Sequence, residues 1–190
     1  LWYEFQEKDF SKQDFINYLS LVEDAFSTES YYCLGVYFEA KGELDEALKN
    51  YKCALKINYF HPHTHNALGN VYSRLGNYDS AVLEYKRAMR LGEKPAGIYR
   101  NLADAYLKIG KPELAISQIL KAIDLEPDYA KAYKNLSVAY FQMDNIKLAK
   151  WAAYKYVKSV PKDPDGYYNL GCIYQNSGDI NKAIIFWKKT

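Results

Sequence analysis

Residues 96–129 read AGIYRNLADAYLKIGKPELAISQILKAIDLEPDY, and their spacing carries the fold. Tyr99, Leu102, Ala103 and Tyr106 stand at i, i+3, i+4 and i+7, one face of an α-helix. Gly110 then supplies a residue free to adopt positive φ, where a first helix stops and the chain turns. Ala115, Ile119 and Ala122 mark the face of a second helix, and Pro127 closes the unit, because proline does not continue a helix interior. The same frame recurs without a slip every 34 residues: Leu34-Gly35, Leu68-Gly69, Leu102-Ala103, Leu136-Ser137 and Leu170-Gly171 are its anchors. Three residues before each anchor lies Tyr31, His65, Tyr99, Tyr133 or Tyr167, and four after it Phe38, Tyr72, Tyr106, Tyr140 or Tyr174.

Second-helix alanines follow at Ala47, Ala81, Ala115, Ala149 and Ala183, with a large residue four further on at Tyr51, Tyr85, Ile119 and Trp187. Small residues on both helices let two backbones approach closely while flanking aromatics fill the space beside them. Two departures occur in the fourth copy. Asp144 replaces the turn glycine, and the second helix, KLAKWAAYKYV, carries Ala153 where the large residue belongs and Tyr156 where the small one belongs. This exchange of size conserves volume and predicts a changed stacking of copies four and five.

The pattern of aromatic, Leu-Gly, aromatic, Ala, large residue, Ala and Pro at period 34 resembles the tetratricopeptide repeat family. The copies are 28–61, 62–95, 96–129, 130–163 and a truncated fifth, 164–190. The resemblance implies an all-α, right-handed α-solenoid of antiparallel helix pairs, the tetratricopeptide superhelix, with first helices lining an inner groove. It also implies a non-catalytic scaffold or adaptor that binds an extended or helical segment of a partner protein in that groove. Residues 1–27 lie outside the frame. Ser11 and Asp14 form a capping-box-like pair ahead of an apolar stripe at Phe15, Tyr18, Leu19, Val22 and Phe26. They read either as a helix covering the first repeat or as the remnant of a degenerate preceding repeat.

Composition agrees with an ordinary globular chain: 190 residues, 49% hydrophobic and 25% charged. No apolar run is long enough for a membrane-spanning helix, and the first residues lack the basic start and apolar middle of a secretory signal. The chain begins at Leu1 and stops inside a second-helix pattern at Thr190, so it reads as a piece of a longer protein. With 25 basic and 23 acidic residues there is no global electrostatic footprint of a nucleic-acid binder, and charge-driven binding has to be local. Cys33, Cys53 and Cys172 form no disulfide framework; free thiols lean toward a reducing, cytoplasmic setting.

Numbering each copy from its first residue, positions 4, 7, 8 and 11 of the first helix pack, which turns positions 2, 5, 6, 9, 12 and 13 toward the groove. On that face copy two places His63, Asn66, Asn70 and Arg74, and copy three Arg100, Asn101, Asp104 and Lys108. Copy four contributes Lys131, Lys134 and Asn135, and copy five Tyr168 and Asn169. Copy one is mildly acidic and apolar, with Glu29, Tyr32, Cys33, Val36 and Glu39, so the middle of the groove is basic. Asn101, Asn135 and Asn169 share one repeat position, and an amide both donates and accepts, as gripping a peptide backbone requires. Family members that clamp a terminal carboxylate use Lys and Asn, then Asn, then Lys and Arg. The corresponding residues here are Asn66, Asn70, Asn101, Lys131 and Asn135, so two of the cations are replaced. A generic preference for an acidic segment or carboxyl terminus follows, rather than a full clamp.

His61, His63 and His65 sit too close in sequence, and point too differently on a helix, to form a zinc site without a third ligand; His65 falls on the packed aromatic position. No phosphate-cradling loop, nucleophile elbow or metalloprotease motif is present, so neither catalysis nor a cofactor is expected. Two further roles follow from the ends of the chain: the substrate-recruiting region of a larger enzyme or regulator, and a homodimer formed through Ile180, Ala183, Ile184 and Trp187 at the open carboxyl end.

Overall fold

The computed structural model describes residues 27–190; the expected amino-terminal capping helix or degenerate repeat lies outside the described residues. Ten helices and no strands occur among them. In chain order they are α1 (Thr28–Lys41), α2 (Leu44–Ile57), α3 (Pro62–Arg74), α4 (Tyr78–Arg90), α5 (Ala96–Lys108), α6 (Pro112–Leu125), α7 (Ala130–Gln142), α8 (Ile146–Ser159), α9 (Pro164–Asn176) and α10 (Ile180–Trp187). Each odd-numbered helix packs most extensively on the even-numbered helix that follows, and each pair packs on the next, which makes an all-α solenoid. Odd-numbered helices also touch one another from pair to pair, whereas successive even-numbered helices are more widely separated. The first helices therefore line the tighter, concave side and the second helices form the convex side.

Local chemistry sets the helix ends. Gly42, Gly76, Gly110 and Gly178 turn the chain at φ between 69° and 81°, and Asp144 adopts the same left-handed geometry at φ 56°. Asn77, Asn145 and Asp179 cap α4, α8 and α10 by accepting from the backbone N–H three residues on. The core runs along the whole array through Phe38, Tyr51, Leu68, Tyr85, Leu102, Ile119, Leu136 and Leu170, interleaved with fully buried Ala47, Ala81, Ala115, Ala149 and Ala183.

Within a pair, the residue at position 8 of the first helix faces position 24 on the second, and their sizes are complementary. A Cβ added to Gly35 would lie 2.4 Å from the Tyr51 ring, one on Gly69 2.6 Å from Tyr85, and one on Gly171 2.2 Å from Trp187. In the third pair Ala103 stands opposite the smaller Ile119, and in the fourth Ser137 opposite Ala153. The fourth pair moves its ring across the repeat boundary instead. Tyr156 is buried and packs against Gly166 of α9, where an added Cβ would meet its ring at 2.9 Å. The side-chain contact between copies four and five thus differs from that at the other repeat boundaries.

His65 is fully buried on the packed face of α3. Its Nε2 donates to the Tyr59 carbonyl at 2.8 Å, its Nδ1 lies 2.6 Å from Glu84 Oε2, and Arg87 donates to the other Glu84 oxygen at 2.6 Å. A polar ring occupies an aromatic slot because it brings its own partners. At the carboxyl end the expected apolar face is only partly open: Ala183 is fully buried and Trp187 covers Gly171, which leaves Ile180 and Ile184 exposed, together with Ile185.

Candidate functional site

An open cleft of about 310 Å³ lies on the concave side, where the first three repeats meet. Its walls are Glu39 of α1, Asn70, Ser73 and Arg74 of α3, Tyr85 of α4, and Arg100, Asn101 and Asp104 of α5. The polar groups are tied to one another. The Tyr85 hydroxyl and Asn101 Nδ2 both donate to Asn70 Oδ1 at 2.9 Å, and Arg100 donates to Asn101 Oδ1. On the amino-terminal wall the Tyr51 hydroxyl donates to Glu39 Oε2 at 2.9 Å, while Arg74 donates to the Glu39 carbonyl at 3.1 Å and lies 3.7 Å from its carboxylate. Burial, with the Glu39 charge beside it for Tyr51, pushes the Tyr51 and Tyr85 hydroxyls up, so both stay protonated donors.

Both tyrosines read as core residues in the sequence, yet their hydroxyls reach the groove. The opposing glycine explains this. Where position 8 has no side chain, the ring at position 24 passes the first helix and delivers its oxygen to the concave face, as Tyr85 does beside Gly69. A Gly at position 8 paired with a Tyr at position 24 is the sequence signal.

Of the residues expected in the groove, Asn70, Arg74, Arg100, Asn101 and Asp104 come together in this cleft. Asn66 is half-buried with its Oδ1 enclosed, and His63 is exposed with its Nδ1 2.7 Å from Glu93. Lys108 and Lys131 are exposed. Lys134 pairs with Asp165 across the α7–α9 boundary and lies over the Tyr156 ring, so its charge is matched internally. The expected basic middle is consequently reduced: Arg74 faces Glu39 and Lys134 faces Asp165, while Arg100 Nε is buried with no hydrogen-bond partner among the described residues. Asn135 Nδ2 is likewise enclosed and unpartnered, Asn169 is half-buried, and Tyr168 is largely exposed.

The amide ladder expected from Asn101, Asn135 and Asn169 is unequal as a result. Asn101 already uses its amide within the chain, whereas Asn135 and Asn169 make no side-chain hydrogen bond among the described residues. Burial and the Glu29 charge push the Cys33 thiol up, away from a reactive thiolate. Among the described residues no three His, Cys, Asp or Glu side chains come together as a metal site, and no helix is long and apolar enough to cross a membrane.

A concave, polar face built on stacked helix pairs defines an α-solenoid of the protein-interaction scaffold type. Tetratricopeptide repeat models match residues 26–94, 100–166 and 153–185, and the chain belongs to the tetratricopeptide repeat family. No curated protein gives a significant match. Among solved structures, a crystal structure of the MamA protein is 29% identical, covering 85% of this chain and 88% of its own at a TM-score of 0.74. YrrB, described as a tetratricopeptide repeat protein with an unusual peptide-binding site, is 21% identical over 92% of this chain and 89% of its own, with a TM-score of 0.73. MamA from Desulfovibrio magneticus RS-1, residues 41 to the end, is 22% identical over 85% and 92%, with a TM-score of 0.77. The last two share the fold.

Proposed function

We propose that the chain is a non-catalytic adaptor that binds an extended or helical segment of a partner protein on its concave face. The observation that carries this reading is the cleft itself, where side chains from three consecutive repeats converge and are held in place by the chain Tyr85–Asn70–Asn101–Arg100. Groups fixed before binding lose little freedom on binding, so such a network favours affinity without requiring a large interface. Arg100, half-buried in the cleft wall with a terminal nitrogen anchored on Asn101, is suited to a carboxylate of the partner, and Asp104 one turn away to a backbone N–H or a basic side chain. Exposed Lys108 and Lys131 extend the preference for acidic segments along the groove. The likeness to YrrB adds a precedent for peptide binding on this fold.

The test is a selection of random displayed peptides on the immobilised chain, followed by calorimetric titration of the selected sequences. Acidic peptides are expected, and Arg100→Ala is expected to weaken them about tenfold to a hundredfold, the worth of a charge-assisted hydrogen bond. Selected peptides that bind Arg100→Ala and Asn101→Ala as well as the parent chain would overturn the placement of the site.

A further inference from the structure

The convex side carries a charge asymmetry that the net charge of +2 conceals. Helix α8 and the segment from α10 to the end, residues 180–190, hold seven lysines and no acidic residue: Lys147, Lys150, Lys155, Lys158, Lys182, Lys188 and Lys189. The rest of the chain is therefore net negative, and α2, α4 and α6 each carry two acidic residues among their cations. Interleaved with these lysines are large exposed side chains. Trp151 is 47% and Tyr154 44% exposed on α8, and Ile184 and Ile185 are 44% and 54% exposed on α10.

These residues share one face. Trp151 and Ile185 occupy the same repeat position on successive second helices, as do Tyr154 and Lys188. Ring contacts join the two helices: Tyr154 meets the edge of Phe186 at 6.0 Å and hydrogen-bonds Tyr174 through its hydroxyl, while Lys150 and Lys182 both lie over the Tyr174 ring. Lys182 is matched by Asp179 at 3.0 Å and Lys150 donates to Ser177, but Lys147, Lys155, Lys158 and Lys188 are exposed with no acidic partner among the described residues.

We infer that the convex face of α8 and α10 adsorbs to an anionic lipid surface, with Trp151, Tyr154 and Ile185 at headgroup depth and the lysines facing the lipid charge. Three features select a bilayer over a folded acidic partner or a nucleic acid. The charge is carried entirely by lysines, compact point charges suited to a diffuse anionic layer, while all four arginines, the residues for planar bidentate recognition, lie between residues 74 and 100. The exposed side chains pair an aromatic, amphipathic set with branched aliphatics, the composition that settles at a membrane interface. The face is convex and turned away from the concave cleft in which a peptide could be enclosed, and so it is presented to a plane.

This inference stands apart from the concave-site reading and is tested separately. The intact chain is co-sedimented with vesicles of phosphatidylcholine containing 30% phosphatidylserine, a content of about a third chosen to give a strongly anionic surface. Pure phosphatidylcholine vesicles and polyuridylic acid serve as controls, each at low and at high salt. Binding to the anionic vesicles, weakened by salt and absent on neutral ones, is expected. Lys155→Gln and Lys188→Gln should each reduce it about fivefold, the factor that corresponds to about 1 kcal/mol per lysine near such a surface. Trp151→Ser should reduce it with no change in salt dependence, and Arg100→Ala should leave it unchanged. The Lys155, Lys188 and Trp151 side chains are exposed, Arg100 lies on the opposite, concave side, and unaltered helical circular dichroism would show that the variants fold. No anionic-vesicle binding at low salt, equal binding to neutral vesicles, equal vesicle binding by the Lys155 and Lys188 variants, or tighter binding to polyuridylic acid would each overturn the inference.

Discussion

Gly69→Ala together with Tyr85→Ile forms a double-mutant cycle that tests how size is matched between the helices of a pair. A methyl group at Gly69 would lie 2.6 Å from the ring of Tyr85, which is 2% exposed and has its hydroxyl bonded to Asn70. Replacing Gly by Ala inside a helix gains about 1 kcal/mol in propensity, and forcing the overlap costs about 1–3 kcal/mol, so the single variant should be destabilised by about 1 kcal/mol. Tyr85→Ile alone leaves a gap beside Gly69 and removes one of the two donors to Asn70 Oδ1, at a cost of about 3 kcal/mol. Joined, the two changes reproduce the Ala103 and Ile119 pairing of the third repeat, where the methyl occupies the space the ring has left. The double variant should therefore be more stable than the sum of the singles by about 2 kcal/mol. Urea unfolding followed by circular dichroism, with all four proteins compared at a common denaturant concentration, measures the coupling. Effects that add to within about 0.5 kcal/mol would refute the size-matching argument.

Two further outcomes are expected. Asp144→Gly removes the only non-glycine residue at positive φ among the described residues and should raise stability by about 0.5–1 kcal/mol, read as a higher melting midpoint; an unchanged or lower midpoint would count against strain at this turn. The Tyr156 hydroxyl, then the Asp165 N–H, hold the Asp163 carboxyl below the ordinary aspartate value, with Lys134 and Lys131 adding to the effect. A depressed carboxyl contributes stability above its unfolded value and loses it as pH falls through its folded value. The melting midpoint of the parent chain should accordingly exceed that of Asp163→Asn at about pH 6 and converge on it by about pH 2, and a difference independent of pH would contradict the assignment.

The period of 34, the two faces of each pair and the glycine turns were legible because they depend on local spacing, and small residues opposite large ones are visible once copies are aligned. Asp144 in the left-handed turn could be read from its alignment with four glycines. Cross-repeat polar chemistry was not legible. Whether Lys134 meets a ligand or Asp165, 31 residues away, depends on the rotation between successive pairs, and the exchange of Tyr156 for Ala153 alters the contact at that very boundary. The Tyr85 hydroxyl is not legible for a different reason. Periodicity assigns a ring to the core but does not say how far its oxygen travels past a glycine.

The reversed fourth pair also limits how this array could have grown. Solenoids lengthen when a repeat is copied in tandem, which is harmless only if each unit's trailing surface fits its own leading surface. The trailing surface of the fourth repeat presents Tyr156, and it requires Gly166 at the third position of the unit that follows. The fourth repeat itself holds Ala132 at that position, fully buried. A duplicate inserted after it would set a methyl group against the tyrosine ring, so the fourth and fifth repeats are a fixed phrase in the chain's grammar: their order cannot be permuted, and the fourth cannot be repeated without rewriting its neighbour.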